Sequence, residues 1–243
     1  MVKHPPAYQM VYSELKQKIL DGEYAIGSFL PTEAEFIETL GVSRTTLRRA
    51  LEMLSREGFL RSTAGRGTEV MDFRTRQSLN TITSISETLQ RKGMQVRSKS
   101  LYIDQIQADA KLASELAVAE GTEITRVQRI QLANEIPVAI MKNYLIAALV
   151  PDMAKRMTID QSLYLFMERQ YGITIEKALD RISARAASFT DAEILGVPVG
   201  EPLIAFARIC YSLGRPVCAD HVSIVGKYYE FELTLSGRTS YQE

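Results

Sequence analysis

The sequence predicts an α+β protein with two domains, and three observations support this prediction. Residues 1–71 have apolar side chains at helical spacing, followed by two short β-like runs around a glycine-rich turn. Residues 81–243 are dominated by runs rich in β-branched and aromatic side chains. Between them, residues 72–80 form a polar stretch that is predicted to be a linker.

Length and composition restrict the class of protein. The 243 residues suffice for one large or two ordinary domains, and 46% apolar with 24% charged residues is typical of a globular protein. No uncharged apolar run reaches about 18 residues, and the first ten residues contain no apolar signal-peptide core. We therefore expect a cytoplasmic protein without a membrane partner. With only His4 and His221 and no CxxC spacing, no metal site is expected either.

Three helices are predicted in the first domain. The first spans residues 8–20, where Val11, Leu15 and Ile19 recur at helical spacing. The second begins with a capping box over residues 32–35 and ends at Gly41. Ser43 can cap the third. Residues 59–61 and 68–70 are predicted to pair as a hairpin around Gly65, Arg66 and Gly67.

Positive charge is concentrated in this region, although the whole chain has 29 basic and 29 acidic residues. Residues 41–67 contain six arginines and two glutamates, which gives a local net charge of +4. Such a patch on a neutral protein favours a small DNA footprint. The spacing of the second and third helices is that of a helix-turn-helix, whose second helix enters the major groove.

The start of the third helix supplies the candidate DNA-reading residues. Arg44 and Arg48 are predicted to read bases, because a guanidinium meets O6 and N7 of guanine together. Ser43, Thr45 and Thr46 are placed for phosphates, where the helix N-terminus adds partial positive charge.

The hairpin supplies the rest of the predicted interface. Gly65 and Gly67 would let the backbone approach DNA, and Arg66 suits a narrow minor groove. Arg49 either contacts a phosphate or is solvated. The alternative for the arginines as a group is a solvated surface with pairs such as Arg48 with Glu52.

These motifs resemble the winged helix-turn-helix of GntR-type bacterial transcription regulators. The matching segments cover residues 30–33, 41–44, 45–48 and 65–68. One departure is Ala34, which stands where many members have an arginine that helps to read the operator. The resemblance therefore implies DNA binding without implying the usual operator sequence of that family.

The second domain is predicted to form a mostly antiparallel sheet with peripheral helices. The strand-like runs are residues 98–103, 123–132, 137–145, 175–187, 203–211 and 216–224. The helices are residues 86–92, 108–116, 163–170 and 191–195, the last with a capping box over residues 190–193. Cys210 and Cys218 lie symmetrically about Gly214 and would face each other, either as small apolar side chains or as a redox pair.

This pattern resembles the UTRA effector domain of the HutC subfamily, which shares its fold with chorismate lyase. The matching positions are residues 83–87, Arg129 ahead of Pro137, and residues 144–145, 162–164, 171–172, 195–197, 200–203 and 214–217. The resemblance implies a ligand-responsive transcription regulator, by default a repressor. As a homodimer it would bind a pseudo-palindromic operator, and a small anionic effector would release or reposition it.

The resemblance also implies effector-binding residues. In relatives that bind sugar phosphates, hydroxyls and an arginine hold the anion, and the matching positions here are Ser84, Ser86, Arg129, Ser162 and Tyr164. Ser162 stands at a helix start, where it forms an anion nest or a plain N-cap. Arg129 lies among apolar neighbours, so it needs a ligand or carboxylate unless it faces outward.

Four further positions describe how this site differs from those relatives. Gln131 replaces a second arginine, and Met141 and Cys218 replace carboxylates that would bind sugar hydroxyls. Asp220 either adds a polar contact or is solvated on an edge strand. Because Met and Cys favour apolar or soft groups, we expect an effector with an anionic end and a less polar body.

No enzyme activity and no cofactor are expected. The chain has no Ser/His/Asp set, no metal cluster and no Gly-rich phosphate loop, and a lyase-like fold does not imply lyase activity. The main alternative is an effector-independent DNA-binding protein whose second domain only dimerises, with an enzyme of lyase-like fold as a third.

Overall fold

The computed structural model describes residues 5–159 and 161–237, so that His4 lies outside it. The chain divides into two compact units, one ending at Arg74 and the other beginning at Thr75. The mixture of helices and antiparallel sheet confirms the predicted α+β class.

The first unit contains the predicted helices and hairpin. Its elements are α1 (Ala7–Leu20), α2 (Glu33–Leu40), α3 (Arg44–Arg56), β1 (Leu60–Thr63) and β2 (Gly67–Val70). Thr32 and Glu35 form the predicted capping box of α2, which ends at the left-handed Gly41. Ser43 caps α3 by accepting the Thr46 N–H, as predicted. The core of this unit joins apolar residues of α1 and α3 to those of the hairpin.

The second unit is built on a six-stranded antiparallel sheet within the described residues, in the order β4-β5-β6-β9-β8-β7. Its strands are β4 (Val96–Gln107), β5 (Glu123–Ala133), β6 (Ile136–Ile146), β7 (Lys177–Ala186), β8 (Pro202–Ser212) and β9 (Arg215–Val225). Its α-helices are α4 (Ile85–Arg91), α5 (Ala110–Leu116), α6 (Met153–Arg156), α7 (Leu163–Tyr171) and α8 (Phe189–Leu195). Two single-turn 3₁₀ helices cover Ala147–Leu149 and Gly226–Tyr228.

The polar stretch predicted as a linker is partly a strand. Residues Thr75–Ser78 form β3, which pairs in parallel with β10 (Tyr229–Glu232). Gln77 is buried, and its amide donates to the Thr83 carbonyl at 3.0 Å while accepting the Tyr229 hydroxyl at 2.6 Å. The polar composition of this stretch predicted an exposed linker, but Gln77 can be buried because the protein supplies its hydrogen-bond partners.

The capping box predicted for the last helix was placed two residues too late. Ser188 is the N-cap of α8, and Asp191 completes the box by accepting the Ser188 N–H. The sequence contains two overlapping Ser/Thr-x-x-acid patterns, and the earlier one forms because α8 begins at Phe189.

The paired cysteines are placed as predicted. Cys210 on β8 and Cys218 on β9 are register partners, and both are buried free thiols. Among the described residues, no helix is long and apolar enough to cross a membrane.

Candidate functional site

The exposed start of α3 presents two arginines one turn apart. The side chains of Arg44 and Arg48 are 66% and 63% exposed. Arg48 Nε donates to both carboxylate oxygens of Glu33, at 2.9 and 3.0 Å, and Arg44 Nε lies 3.9 Å from the same carboxylate. Glu33 thus holds both guanidinium groups from the neighbouring helix. The alternative pair of Arg48 with Glu52 does not form, because Glu52 pairs with Arg56 at 2.7 Å.

The hydroxyls of Ser43 and Thr46 take part in the N-terminal cap of α3. Ser43 Oγ accepts the Thr46 N–H at 3.2 Å and lies 2.9 Å from Thr46 Oγ1. Arg49 is exposed, and its guanidinium stacks 3.9 Å from the centre of the Tyr8 ring on α1, so its contact with a phosphate stays a prediction. An open groove of about 840 Å³ runs along this face, and it is lined by Tyr8, Arg44, Thr45, Arg48, Arg49, Glu52, Met53 and Arg56.

The hairpin turn requires its glycines. Gly65 and Gly67 have φ of +77° and +103°, in the left-handed region that side chains disfavour. A Cβ on Gly67 would meet the Phe29 ring at 3.5 Å. Arg66 lies at the tip between them, and the turn borders a second groove shared with the start of α2. The structure therefore places a tight basic tip and the α3 surface in the same unit.

A small internal cavity lies in the second unit, with a volume of about 20 Å³. It is lined by Thr83, Ser84, Ile85, Arg129, Met141, Asn143, Leu163, Tyr164, Phe206, Arg208, Asp220 and Val222. Five of these, namely Ser84, Arg129, Met141, Tyr164 and Asp220, are predicted effector residues. The space holds about one water molecule, so any effector requires the walls to move.

Four predicted effector residues do not line this cavity. Ser86 and Gln131 pair with each other, through a hydroxyl-to-amide hydrogen bond of 2.6 Å, and the Gln131 amide donates to the Arg97 carbonyl at 2.8 Å. Both are buried, so Ser86 can bind an anion only if its hydrogen bond to Gln131 is exchanged, and that role stays a prediction. Cys218 lies beside the cavity and donates its thiol to Asp220 Oδ1 at 3.0 Å.

Ser162 is the N-cap residue of α7, but its side chain makes no capping hydrogen bond. Its hydroxyl instead donates to Glu87 Oε1 at 3.0 Å, so its role in binding an anion stays a prediction. Glu87 Oε2 accepts the backbone N–H of Ser84 at 3.1 Å. A carboxylate of the protein itself therefore joins the starts of α4 and α7.

Arg129 is the least satisfied charge of the cavity. It is 3% exposed, and its Nη1 donates a hydrogen bond to the Gln161 carbonyl at 3.0 Å. Its Nε has no partner among the described residues. Burial lowers the pKa of Arg129, and the negative charge of Asp220 opposes that change.

Asp220 lies in the interior of the sheet, so its predicted alternative of an edge strand is wrong. β9 stands between β6 and β8. The carboxylate accepts from Asn143 Nδ2 at 2.6 Å, from the Cys218 thiol and from the Tyr164 hydroxyl. Burial, followed by the charge of Asp220, raises the pKa of Tyr164 well above its ordinary value, so the phenol remains a donor at neutral pH.

Arg208 and Asn143 are cavity residues that the sequence prediction missed. Arg208 is 3% exposed and donates through Nε and Nη2 to Asp180 at 2.6 and 2.7 Å. Burial alone would lower the pKa of Arg208, but the hydrogen bond to Asp180 and the charge interactions with Tyr164 and Asp180 together outweigh it and raise the pKa. Arg208 and Asp220 are symmetric about Gly214, as the two cysteines are, so the same hairpin argument would have found this pair.

Comparison with known protein families agrees with the folds of both units. Residues 7–70 match the bacterial regulatory proteins of the gntR family, and residues 91–230 match the UTRA domain. The chain belongs to the GntR family and contains a UTRA domain. This GntR-family chain is a transcription regulator, not an enzyme.

Individual relatives of this GntR-family regulator match over nearly the whole chain. The HTH-type transcriptional repressor NagR of Bacillus subtilis is 32% identical over 228 residues, 93% of each chain. The histidine utilization repressor of Pseudomonas putida is 26% identical, covering 93% of this chain and 91% of its own. The crystal structure of PhnF from Mycobacterium smegmatis has a TM-score of 0.66 at 26% identity, covering 94% of this chain and 100% of that one.

Proposed function

We propose that this regulator is a homodimeric repressor that binds a pseudo-palindromic operator and that a small anionic effector, bound at Arg129, releases or repositions it. The observation on which this depends is the buried Arg129 guanidinium, whose Nε has no partner in the part of the chain that the structure describes. Asp220 attracts this charge without contacting it directly, so keeping it buried is costly, and such a cost beside a cavity is typical of ligand sites. The names of NagR and the histidine utilization repressor support repression.

The DNA-binding role is assigned to α3 and the hairpin. Arg44 and Arg48 are the proposed base-reading residues, and Thr45 and the tip of the hairpin are the proposed phosphate and minor-groove contacts. Their exposure on one side of α3 supports this assignment. Glu33 competes with DNA for both arginines, so operator binding exchanges that ion pair for base contacts.

The proposal of a homodimer has two supports. A single recognition helix reads few base pairs, whereas two give useful specificity. The edge strand β7 also exposes Leu179 and Ile182, at 41% and 43%, on a strand whose outer edge has no partner within the described sheet. An exposed edge with apolar side chains is suited to association with a second copy.

An effector bound in the cavity would contact residues that follow shortly after the beginning of the second unit. Ser84 and Ile85 form part of the cavity wall, and they lie six and seven residues after the end of β3 at Ser78. Because the cavity of about 20 Å³ cannot accept an effector without displacement of its walls, binding must favour a different wall conformation. A ligand with unequal affinity for two conformations is what shifts a regulator between states.

A gel-shift assay with DNA from upstream of the chain's own gene tests the proposal. We expect retardation at low salt, and release on addition of an effector found by thermal-shift screening of carboxylates, phosphonates, organic phosphates and amines. Stabilisation by hexose phosphates alone would contradict the anionic effector with an apolar body. Operator binding that no stabilising ligand alters would favour the effector-independent alternative.

A further inference from the structure

Two buried polar atoms at the cavity have no hydrogen-bond partner among the described residues. They are the donor Nε of Arg129 and the acceptor Oδ1 of Asn143. Arg129 is 3% exposed and Asn143 2%, and both line the same cavity. Buried polar groups in native proteins are nearly always paired, so one donor and one acceptor beside one cavity indicate what its ligand supplies.

The orientation of the Asn143 amide follows from its neighbour. One amide atom lies 2.6 Å from Asp220 Oδ1, and an ionised carboxylate only accepts hydrogen bonds. That atom must therefore be the NH₂ group, which leaves the carbonyl oxygen as the unpartnered atom. Three donors, from Asn143, Cys218 and Tyr164, already satisfy Asp220. The amide oxygen of Asn143, rather than the carboxylate, is the acceptor that remains available to a ligand.

The two unpartnered atoms are within reach of one small molecule. Arg129 on β5 is the register partner of Met141 on β6, and Asn143 is two residues farther along β6 on the same face. Diagonal neighbours of this kind are about 7–8 Å apart in an antiparallel pair. A ligand group at each atom can therefore belong to a single compact molecule.

The geometry around Arg129 favours a carboxylate over a phosphate. Its Nη1 is held by the Gln161 carbonyl, whereas Nε lies on the guanidinium edge that meets a planar carboxylate with two parallel hydrogen bonds. Most hydroxyls that a phosphate would need are committed, with Ser86 bound to Gln131, Ser162 to Glu87 and Tyr164 to Asp220. Of the predicted anion-binding hydroxyls this leaves only that of Ser84, which is too few to surround a phosphate.

We propose that the effector is a small carboxylate with an N–H or O–H donor close to its acid group, and that Asn143 is the residue that selects for this donor. The inference rests on the proposed function and specifies the ligand of the same site. Leu163, Phe206 and Val222 supply apolar walls for the rest of the molecule. An analogue without the donor leaves the Asn143 oxygen buried and unpaired, which weakens its binding.

Isothermal titration of the full chain with matched pairs of probes tests the inference. Pyrrole-2-carboxylate and furan-2-carboxylate have nearly the same shape, but only the pyrrole has an N–H. The second pair is 3-hydroxybenzoate and 3-fluorobenzoate, and phenyl phosphate is the phosphate probe. We expect the donor-bearing member of at least one pair to bind tenfold or more tightly than its partner. Equal affinities within both pairs, tighter binding of phenyl phosphate, or no binding of any carboxylate at millimolar concentration would overturn the inference.

Variants separate the role of Asn143 from a general effect on the cavity. Asn143→Ala should equalise the two members of the preferred pair, whereas Arg129→Gln should weaken both members together. Circular dichroism establishes that each variant is folded, and the wild-type comparison remains decisive if one is not. If the wild-type chain binds no operator, the proposed function fails. If the operator is bound and phenyl phosphate releases it, only this inference fails.

Discussion

Replacing Arg129 by methionine is expected to stabilise the second unit, residues 75–243, while it abolishes the response to effector. The side chain is 3% exposed, and it donates one hydrogen bond of 3.0 Å to the Gln161 carbonyl. Burying a charge that no carboxylate among the described residues contacts directly costs several kcal/mol, whereas one hydrogen bond from a charged donor returns only about 1.5–3 kcal/mol. Methionine keeps the apolar stem. Asp220 loses the favourable charge of Arg129 but retains its three donors and its register partner Arg208, so we expect a net gain of about 1–2 kcal/mol.

Arg208→Met is the matched control, because Arg208 is equally buried at 3% but fully paired. It donates to both oxygens of Asp180 and, at 2.8 Å, to the Thr83 carbonyl. Its loss leaves Asp180 without its partner, and breaking a buried pair costs about 3–5 kcal/mol. Since the Asp180 side chain is 20% exposed, we expect a cost of about 3 kcal/mol, near the lower limit of that range.

Thermal unfolding followed by far-ultraviolet circular dichroism measures both variants, since the chain has no tryptophan. With about 2–4 °C per kcal/mol for a unit of this size, Arg129→Met should raise Tm by several degrees and Arg208→Met should lower it by about 6–12 °C. Similar decreases in the Tm of both variants would refute the idea that Arg129 is retained for a ligand at the expense of stability.

Three further predictions concern the DNA-binding surface and the fold. Arg44→Ala should cost about 1–3 kcal/mol of operator binding and relax specificity at one base pair, and unchanged binding in a gel shift would remove Arg44 from the base-reading set. Glu33→Gln removes the ion pair of Arg48, so the affinity for random DNA should rise. The plot of log binding constant against log salt concentration should become steeper by about 0.9 for each added phosphate contact. Weaker binding at all salt concentrations would contradict this prediction. The hydrogen bond from Arg185 lowers the pKa of Asp191, so this carboxylate stabilises the fold above its unfolded pKa and the effect is lost on acidification. Asp191→Asn should therefore cost roughly 1 kcal/mol at pH 7, and the difference from wild type should shrink below about pH 4 in urea titrations; a constant difference would exclude the ion pair as its source.

The helices of the first unit could be predicted closely because their signals are local. The capping box at Thr32 and the cap at Ser43 involve residues three apart, and the stop at Gly41 depends on its own backbone conformation. The sheet of the second unit could also be predicted in outline, since alternation and hairpin symmetry are properties of short segments. The error at α8 arose where two local signals overlapped, so that local information alone did not choose between them.

The cavity could be predicted only in part, because hydrogen-bond partners distant in sequence decide which polar side chains remain available. Ser86 is taken by Gln131, 45 residues away, and Ser162 by Glu87, 75 residues away. Asp220 was expected at an edge because the strand order of the sheet was unknown. A hydroxyl predicted to bind a ligand and one that binds a neighbouring strand look the same in the sequence.

The amino-acid sequence by itself determined the helix-turn-helix, the basic hairpin tip and the antiparallel class of the second unit, since propensity, capping and periodicity act over a few residues. Only the tertiary structure decided that, within residues 5–159 and 161–237, Arg129 and Asn143 each keep an unpartnered polar atom beside one cavity, while Arg208, equally buried, is neutralised by Asp180. The physical reason is that desolvation and pairing depend on which strands become neighbours. In this sheet β5 and β6 bring Arg129 beside Asn143, and β7 and β8 bring Asp180 beside Arg208, from distant parts of the chain.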